Sequence, residues 1–292
     1  MALQNSGAIS LNDIHVEAGG TSGTTASLND SDIRSLISKA SGATMSFSEW
    51  YGASASVTIN LTLGADTNNY NLQTARGGTY RAGVTTVNLI INSGVVVGST
   101  SPSIPSLQTG SSWASGDVIN IINNGTIKGC GGTGGAGSDA NYLFPIDNPG
   151  DGGDGGTGFK AEFATTFTNN GSVYGGGGGG GGGESSTGVD KNGNSAASGG
   201  GGGGGGAGVN SGTGGAGGVA SNATNNADGS PGSNGTATTG GAGGSAGIVL
   251  GAIGAAGGAG GALGLPGSPG VLYGLPTGGA GGAAGFYEEG AT

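Results

Sequence analysis

Thr168-Asn169-Asn170-Gly171-Ser172-Val173-Tyr174-Gly175, continued as unbroken glycine to residue 183, is the stretch on which the fold of this chain turns. An Asn-Gly pair reads as a turn, a short strand follows, and the strand runs directly into backbone without side chains. The same phrase occurs as Ile122-Asn123-Asn124-Gly125-Thr126-Ile127-Lys128-Gly129, again leading into a glycine tract, and as Ile91-Asn92-Ser93-Gly94-Val95-Val96-Val97-Gly98. Repeated turn-strand units of this kind stack like the rungs of a small solenoid, with the tracts leaving from a common edge.

Upstream, Val57-Thr58-Ile59-Asn60-Leu61-Thr62-Leu63 alternates apolar and polar residues strictly, as a half-buried strand does. Further strands are expected at Val87 to Ile91, Val95 to Val97 and Val118 to Ile122, so residues 56–128 read as a β-rich support, either sandwich or solenoid. Residues 1–55 differ. There Ser, Asn or Asp precedes apolar residues spaced three and four apart, the pattern of short capped helices, with Ile33, Leu36 and Ile37 on one face. This segment carries too little apolar surface to stand alone and is expected to dock on something larger.

Of the 77 glycines in 292 residues, 16 fall at or before Gly129 and 61 after it, which sets the boundary of a third region, 129–292. Charged residues make up 8% of the chain and its formal charge is −10, with only Lys160 and Lys191 against ten acids beyond Gly129. That balance excludes nucleic acid as the partner, because phosphate neutralisation needs clustered Lys and Arg. Cys130 and His15 are each the sole residue of their type, so neither an intrachain disulfide nor a zinc site is available. No run of eighteen apolar residues is present, and the start lacks the basic patch and apolar core of a secretory signal. Synthesis in a cytoplasm follows, with any work outside reached by lysis or within a particle.

Eight tracts are almost wholly glycine: residues 129–137, 150–158, 175–183, 199–208, 212–218, 240–247, 254–261 and 278–285. Polyglycine II rods, with three residues per turn and about 3.1 Å rise, have no internal hydrogen bonds and must pair with neighbouring rods. In residues 150–158 the larger Asp151, Asp154 and Thr157 recur every third position and would project from one edge, toward solvent. Residues 175–183 and 199–206 carry no side chains and would be enclosed on every side. The fold expected is mostly β and irregular: a short helical N-terminal segment, a β support and a bundle of polyglycine II helices.

Two resemblances follow from these residues. Ile9, Ser10, Leu11, Asp13, Ile14, Gly19 and Gly20, then Met45, Phe47, Trp50, Tyr51 and Gly52, resemble a short attachment module of phage tail and virion proteins. Gly94 to Ser99, Ile121 to Gly129 and the eight tracts resemble the receptor-binding region of T-even-type phage tail-fibre-tip adhesins, over residues 85–292. The segment before residue 55 does not resemble those adhesins' own attachment domain. The second resemblance implies a virion protein of the tail fibre or tail tip whose variable loops contact a host-surface receptor, either an outer-membrane protein or a glycan. The first implies docking to other tail-fibre proteins through residues 1–55. A homo-oligomer is compatible with both.

If successive rods run antiparallel, one end collects residues 138–149, 184–198, 219–239 and 262–277, which would form the free tip. The apolar Ile248-Val249-Leu250 would lie at the other end, against the β region. The tip residues expected to bind receptor are then Tyr142, Leu143, Phe144, Ile146, Leu263, Leu265, Leu272 and Tyr273, aromatics and leucines of the kind that interface centres favour. No catalytic residue, cofactor or metal is expected, since nothing brings a nucleophile and base together and the Asp151/Asp154 spacing does not match calcium-binding repeats. The rival reading from another class is an ice-binding polyglycine II protein, on the strength of Ala207, Ala216, Ala242, Ala259 and Thr213. A purely structural virion or filament protein is a third.

Overall fold

The computed structural model describes residues 3–144, 147–271, 278–286 and 288–290. The fold is mostly β and irregular. Helices are few and short. α1 (Leu11–Glu17) begins at a capping box: Ser10 Oγ accepts from Asp13 N at 3.1 Å, while Asp13 Oδ2 accepts from Ser10 N at 2.9 Å. α2 (Ser31–Ser35) follows, and Ser46 and Glu49 box a 3₁₀ turn over Phe47–Trp50. Each element sends one side chain, Ile14, Ile33 and Trp50, into a fully buried cluster closed by Leu3, with Trp50 Nε1 donating to Ile33 O at 3.2 Å. The N-terminal segment therefore builds a core of its own. It joins the rest through Arg81, whose Nη2 donates to Val16 O at 3.1 Å and whose Nη1 pairs with Glu17 Oε1 at 3.8 Å.

The β support is a parallel solenoid of four coils. The first coil is β1 (Val57–Leu63), β2 (Thr67–Asn68) and β3 (Tyr70–Asn71), followed by α3 (Leu72–Ala75); the second is β4 (Thr85–Ile91), β5 (Val96–Gly98) and β6 (Leu107–Gln108). The third starts with β7 (Val118–Asn123) and β8 (Thr126–Lys128), leaves on a glycine-rich excursion containing β9 (Ala140–Asn141), and closes with β10 (Phe159–Ala161). The fourth is β11 (Thr165–Asn169) and β12 (Ser172–Tyr174). A far longer excursion then contains β13 (Ser186–Val189), β14 (Ser195–Ser198), β15 (Ala220–Ser221), β16 (Asn225–Ala227), β17 (Ile248–Val249) and β18 (Ala252–Ile253), and β19 (Glu288–Gly290) ends it. The three faces are the parallel sheets β1-β4-β7-β11, β2-β5-β8-β12 and β3-β6-β10-β19.

Alternation in the strands sends Val87, Leu89, Ile91, Ile119 and Ile121 inward, where they are fully or almost fully buried with Leu107, Ile127 and Phe159. Each such side chain contributes roughly 1.5–3 kcal/mol by burial. The repeated glycine serves the stacking in two ways. Gly94 turns the chain with φ +82°, whereas Gly125 and Gly171 are needed for close approach: a Cβ on Gly171 would fall 2.0 Å from Gly125 O. The sheets do not stop at residue 128, where composition changes. Both excursions leave from the same corner, between the second and third faces, and return to it.

Within the excursions, segments hydrogen-bond side by side, and there are two more of them than glycine content marks: residues 229–235 and 265–271 join the eight tracts. Segment 199–208 shows the rule. Gly199, Gly202, Gly205 and Gly208 donate toward 227–236; Gly200, Gly203 and Gly206 donate to 129–138; Gly201, Gly204 and Ala207 donate to 254–261. Its carbonyls accept from three others, 240–247, 212–218 and 175–183, in the same rotation. Segment 175–183 is enclosed likewise by 129–137, 150–158, 199–208, 254–261, 265–271 and 278–285. A Cβ on Gly203 would stand 2.0 Å from Gly180 O, so side chains are excluded there.

The segments form three layers. Residues 150–158, 129–137 and 212–218 make one; 278–285, 175–183, 199–208 and 229–235 make the middle; 265–271, 254–261 and 240–247 make the third. Asp151 and Asp154 lie on an exposed edge, as their spacing implies, yet they are engaged there. Their Oδ1 atoms accept from Ala280 N and Ala283 N, each at 2.7 Å.

Candidate functional site

Because neighbours consecutive in the chain run antiparallel, the two extra segments change which connections share an end. Far from the solenoid are residues 138–144, 147–149, 184–198, 219–228 and 248–253. Near it are 209–211, 236–239 and 262–264, as shown by Val209 N donating to Gly129 O and Gly264 N donating to Gly175 O at 3.0 Å. Leu263 and Leu265 therefore lie at the base and not at the tip, and Ile248-Val249-Leu250 lies at the tip and not at the base. The cause is parity: Gly229-Ser230-Pro231-Gly232-Ser233-Asn234-Gly235 and Leu265-Pro266-Gly267-Ser268-Pro269-Gly270-Val271 are ordered segments that cross the lattice. Tyr142, Leu143 and Phe144 are at the tip and exposed, Tyr142 the least of the three. Ile146, Leu272 and Tyr273 lie outside the described residues.

The tip connections hold each other. β9 pairs with β15 in parallel; the β13–β14 hairpin takes β16 along its other edge; and Ala140, Ala197 and Ala220 make a small buried core between them. The β17–β18 hairpin turns at Leu250-Gly251, where Gly251 takes φ +99° and its carbonyl would lie 2.1 Å from a Cβ on Gly188. Ser186 Oγ donates to Ile253 O at 2.8 Å and Ser198 Oγ to Ala252 O at 2.9 Å, which clamps this hairpin on the first.

The polar side chains at the tip are largely engaged within it. Asp139 Oδ1 accepts from Val219 N, and Asp228 Oδ1 from Ala220 N. Ser185 Oγ donates to Asp139 O, and Asn222 Nδ2 donates to Asn141 Oδ1. Asp190 closes its own turn: the Asn194 side-chain amide, with the N–H groups of Asn194 and Asn192, holds its carboxyl below the usual carboxylate range.

Among polar neighbours such as Lys191, Asn192 and Asn226, the tip also presents large apolar side chains outward. Leu143 is 68% exposed, Phe144 65%, Ile248 69% and Leu250 75%, with Val189 and Val219 also exposed. Ser186 and residues 248–253 line a hollow of about 720 Å³. Sequence reasoning had the signal for Ile248 and Leu250, an apolar run beside Gly251, but assigned it to the wrong end. Such a surface can bind by shape and desolvation. Among the described residues no three His, Cys, Asp or Glu side chains gather into a group able to hold a metal ion.

A family model described as the phage tail fibre adhesin Gp38 matches residues 57–292. Among solved structures the chain is similar to one in the crystal structure of the gp37-gp38 adhesin tip complex of the bacteriophage S16 long tail fiber. Identity is 23%, the match covers 100% of this chain and 94% of that one, and the TM-score is 0.42. Comparison with curated proteins gives no match.

Proposed function

The chain belongs to the phage tail fibre adhesin Gp38 family, and on that premise we propose that its lattice tip is the surface that meets the host cell. It is a receptor-binding adhesin of a phage tail fibre. The observation that carries the tip assignment is the pairing of exposed Leu143, Phe144, Ile248 and Leu250 with polar side chains already engaged inside the tip. Interfaces concentrate their energy in such apolar anchors. A protein loop with apolar side chains of its own suits the exposed Leu143, Phe144, Ile248 and Leu250. Leu263 and Leu265 have no part in it.

The glycine segments are, in this reading, polyglycine II helices. Their support is the rotation of hydrogen-bond partners with a period of three along residues 199–208. Residues 1–55 are read as the attachment to other tail-fibre proteins, supported by a core independent of the solenoid. The protein acts by adhesion, without catalysis, as part of the virion tail, and several copies per particle raise the avidity.

The test is competition of phage adsorption by the purified full chain. I248S/L250S and F144S are expected to weaken host-cell binding at least about tenfold, and L263S to leave it unchanged. Unaltered binding by I248S/L250S together with loss in L263S would place the contact at the base and refute the assignment.

A further inference from the structure

In the enclosed segment 199–208 every N–H has a neighbouring segment to bond, in a rotation of three. In the other segments, residues whose N–H donates to no neighbouring segment mark the sides on which the lattice ends. In 265–271, Leu265, Ser268 and Val271 donate to residues 256–262, and Gly267 and Gly270 donate to 278–285. The remaining set is Pro266 and Pro269, which have no N–H. In 229–235, Gly229, Gly232 and Gly235 donate to 212–218, and Ser230 and Ser233 donate to 240–247. Pro231 and Asn234 remain.

Other sides end differently. Ala280 N and Ala283 N are taken up by the Asp151 and Asp154 carboxylates at 2.7 Å. On the broad faces the outward set is Thr133 and Ala136 in one layer and Ala256 and Ala259 in the other, each bearing a Cβ. Enclosed glycines tolerate none: a Cβ on Gly181 would stand 1.7 Å from Gly279 O.

We propose that this outward set terminates the lattice, so that a segment from a second copy of this chain cannot add to it. An exposed hydrogen-bonding edge is a template for association, and proline, a capped amide or a side chain in the path each removes it. The inference stands on the hydrogen-bond rotation and is independent of what the tip binds.

Sedimentation velocity of the full chain over a hundredfold concentration range tests it. P266G/P269G restores two N–H groups at the rim, and A256G/A259G clears one face. Both are expected to associate with rising concentration beyond the unaltered chain. If both melt as the unaltered chain does and sediment identically to it at every concentration, the proposal is overturned. Should glycine loosen the segments themselves, hydrogen exchange on the unaltered chain decides. Fast exchange at Thr133, Ala136, Ala256 and Ala259 beside a protected Gly203 is expected, and protection equal to that of Gly203 would refute it.

Discussion

Asn88 stands directly over Asn60 in the next coil of the solenoid, its Nδ2 donating to Asn60 Oδ1 at 2.9 Å. Asn120 repeats the contact on Asn88 Oδ1, again at 2.9 Å, and Thr166 ends the row in the fourth coil. Stacked amides of this kind fix register, since a slip of one residue would turn the strand's apolar side chains outward. N88A removes both bonds and should lower stability by about 1–2 kcal/mol, read as a drop in thermal midpoint, with host-cell binding intact below the transition.

Enclosed and outward positions of the lattice should respond oppositely to the same change in size. G203A places a methyl 2.0 Å from Gly180 O and should cost about 3 kcal/mol or more. A216G, at an exposed position, should change stability by no more than about 1 kcal/mol. Denaturant titration of both variants distinguishes a close-packed lattice from a loose one.

Acid should loosen the solenoid corner held by Asp117. Burial works to raise this carboxyl's pKa but is outweighed by hydrogen bonds from Tyr80 and from the N–H groups of Ala114, Thr85 and Gly83, so the net direction is down from 3.8. The folded value lies below the unfolded one. The stabilisation is therefore complete above the unfolded value and is lost as pH falls through the folded value. D117N should cost about 1–3 kcal/mol at neutral pH and flatten the acid limb of the stability profile.

Removal of residues 286–292 should free one side of the lattice selectively. β19 pairs with β10 across a long stretch of chain, and Phe286 O accepts from Gly158 N at 2.8 Å. Hydrogen exchange is expected to rise in 278–285 while 199–208, which 278–285 does not touch, keeps its protection. Equal loss in both segments would show the lattice to be a single cooperative unit.

The parts of this fold that could be read from sequence are those where one residue type has one physical use. Residues 175–183 and 199–206 lack side chains and are enclosed; Val57 to Leu63 alternates and is a strand; Ser10 and Ser46 precede helical turns and cap them. Residues 229–235 and 265–271 read as loops because only three neighbouring segments border each, where 199–208 has six. Glycine is then required at just every third position, and Ser, Pro and Asn fill the rest as they would a loop. That omission alone moved Leu263 to the tip and Ile248 to the base. The Asn60-Asn88-Asn120 row was invisible for another reason: its members lie 28 and 32 residues apart and meet only once the register is set.

Both excursions begin and end at one corner of the solenoid, and their segments run antiparallel with hydrogen bonds lying across them. A pull on the tip by a tethered cell would load those bonds in shear, many sharing the force at once, instead of peeling them open in sequence. The anchorage would thus be strongest along the axis on which a drifting bacterium tugs.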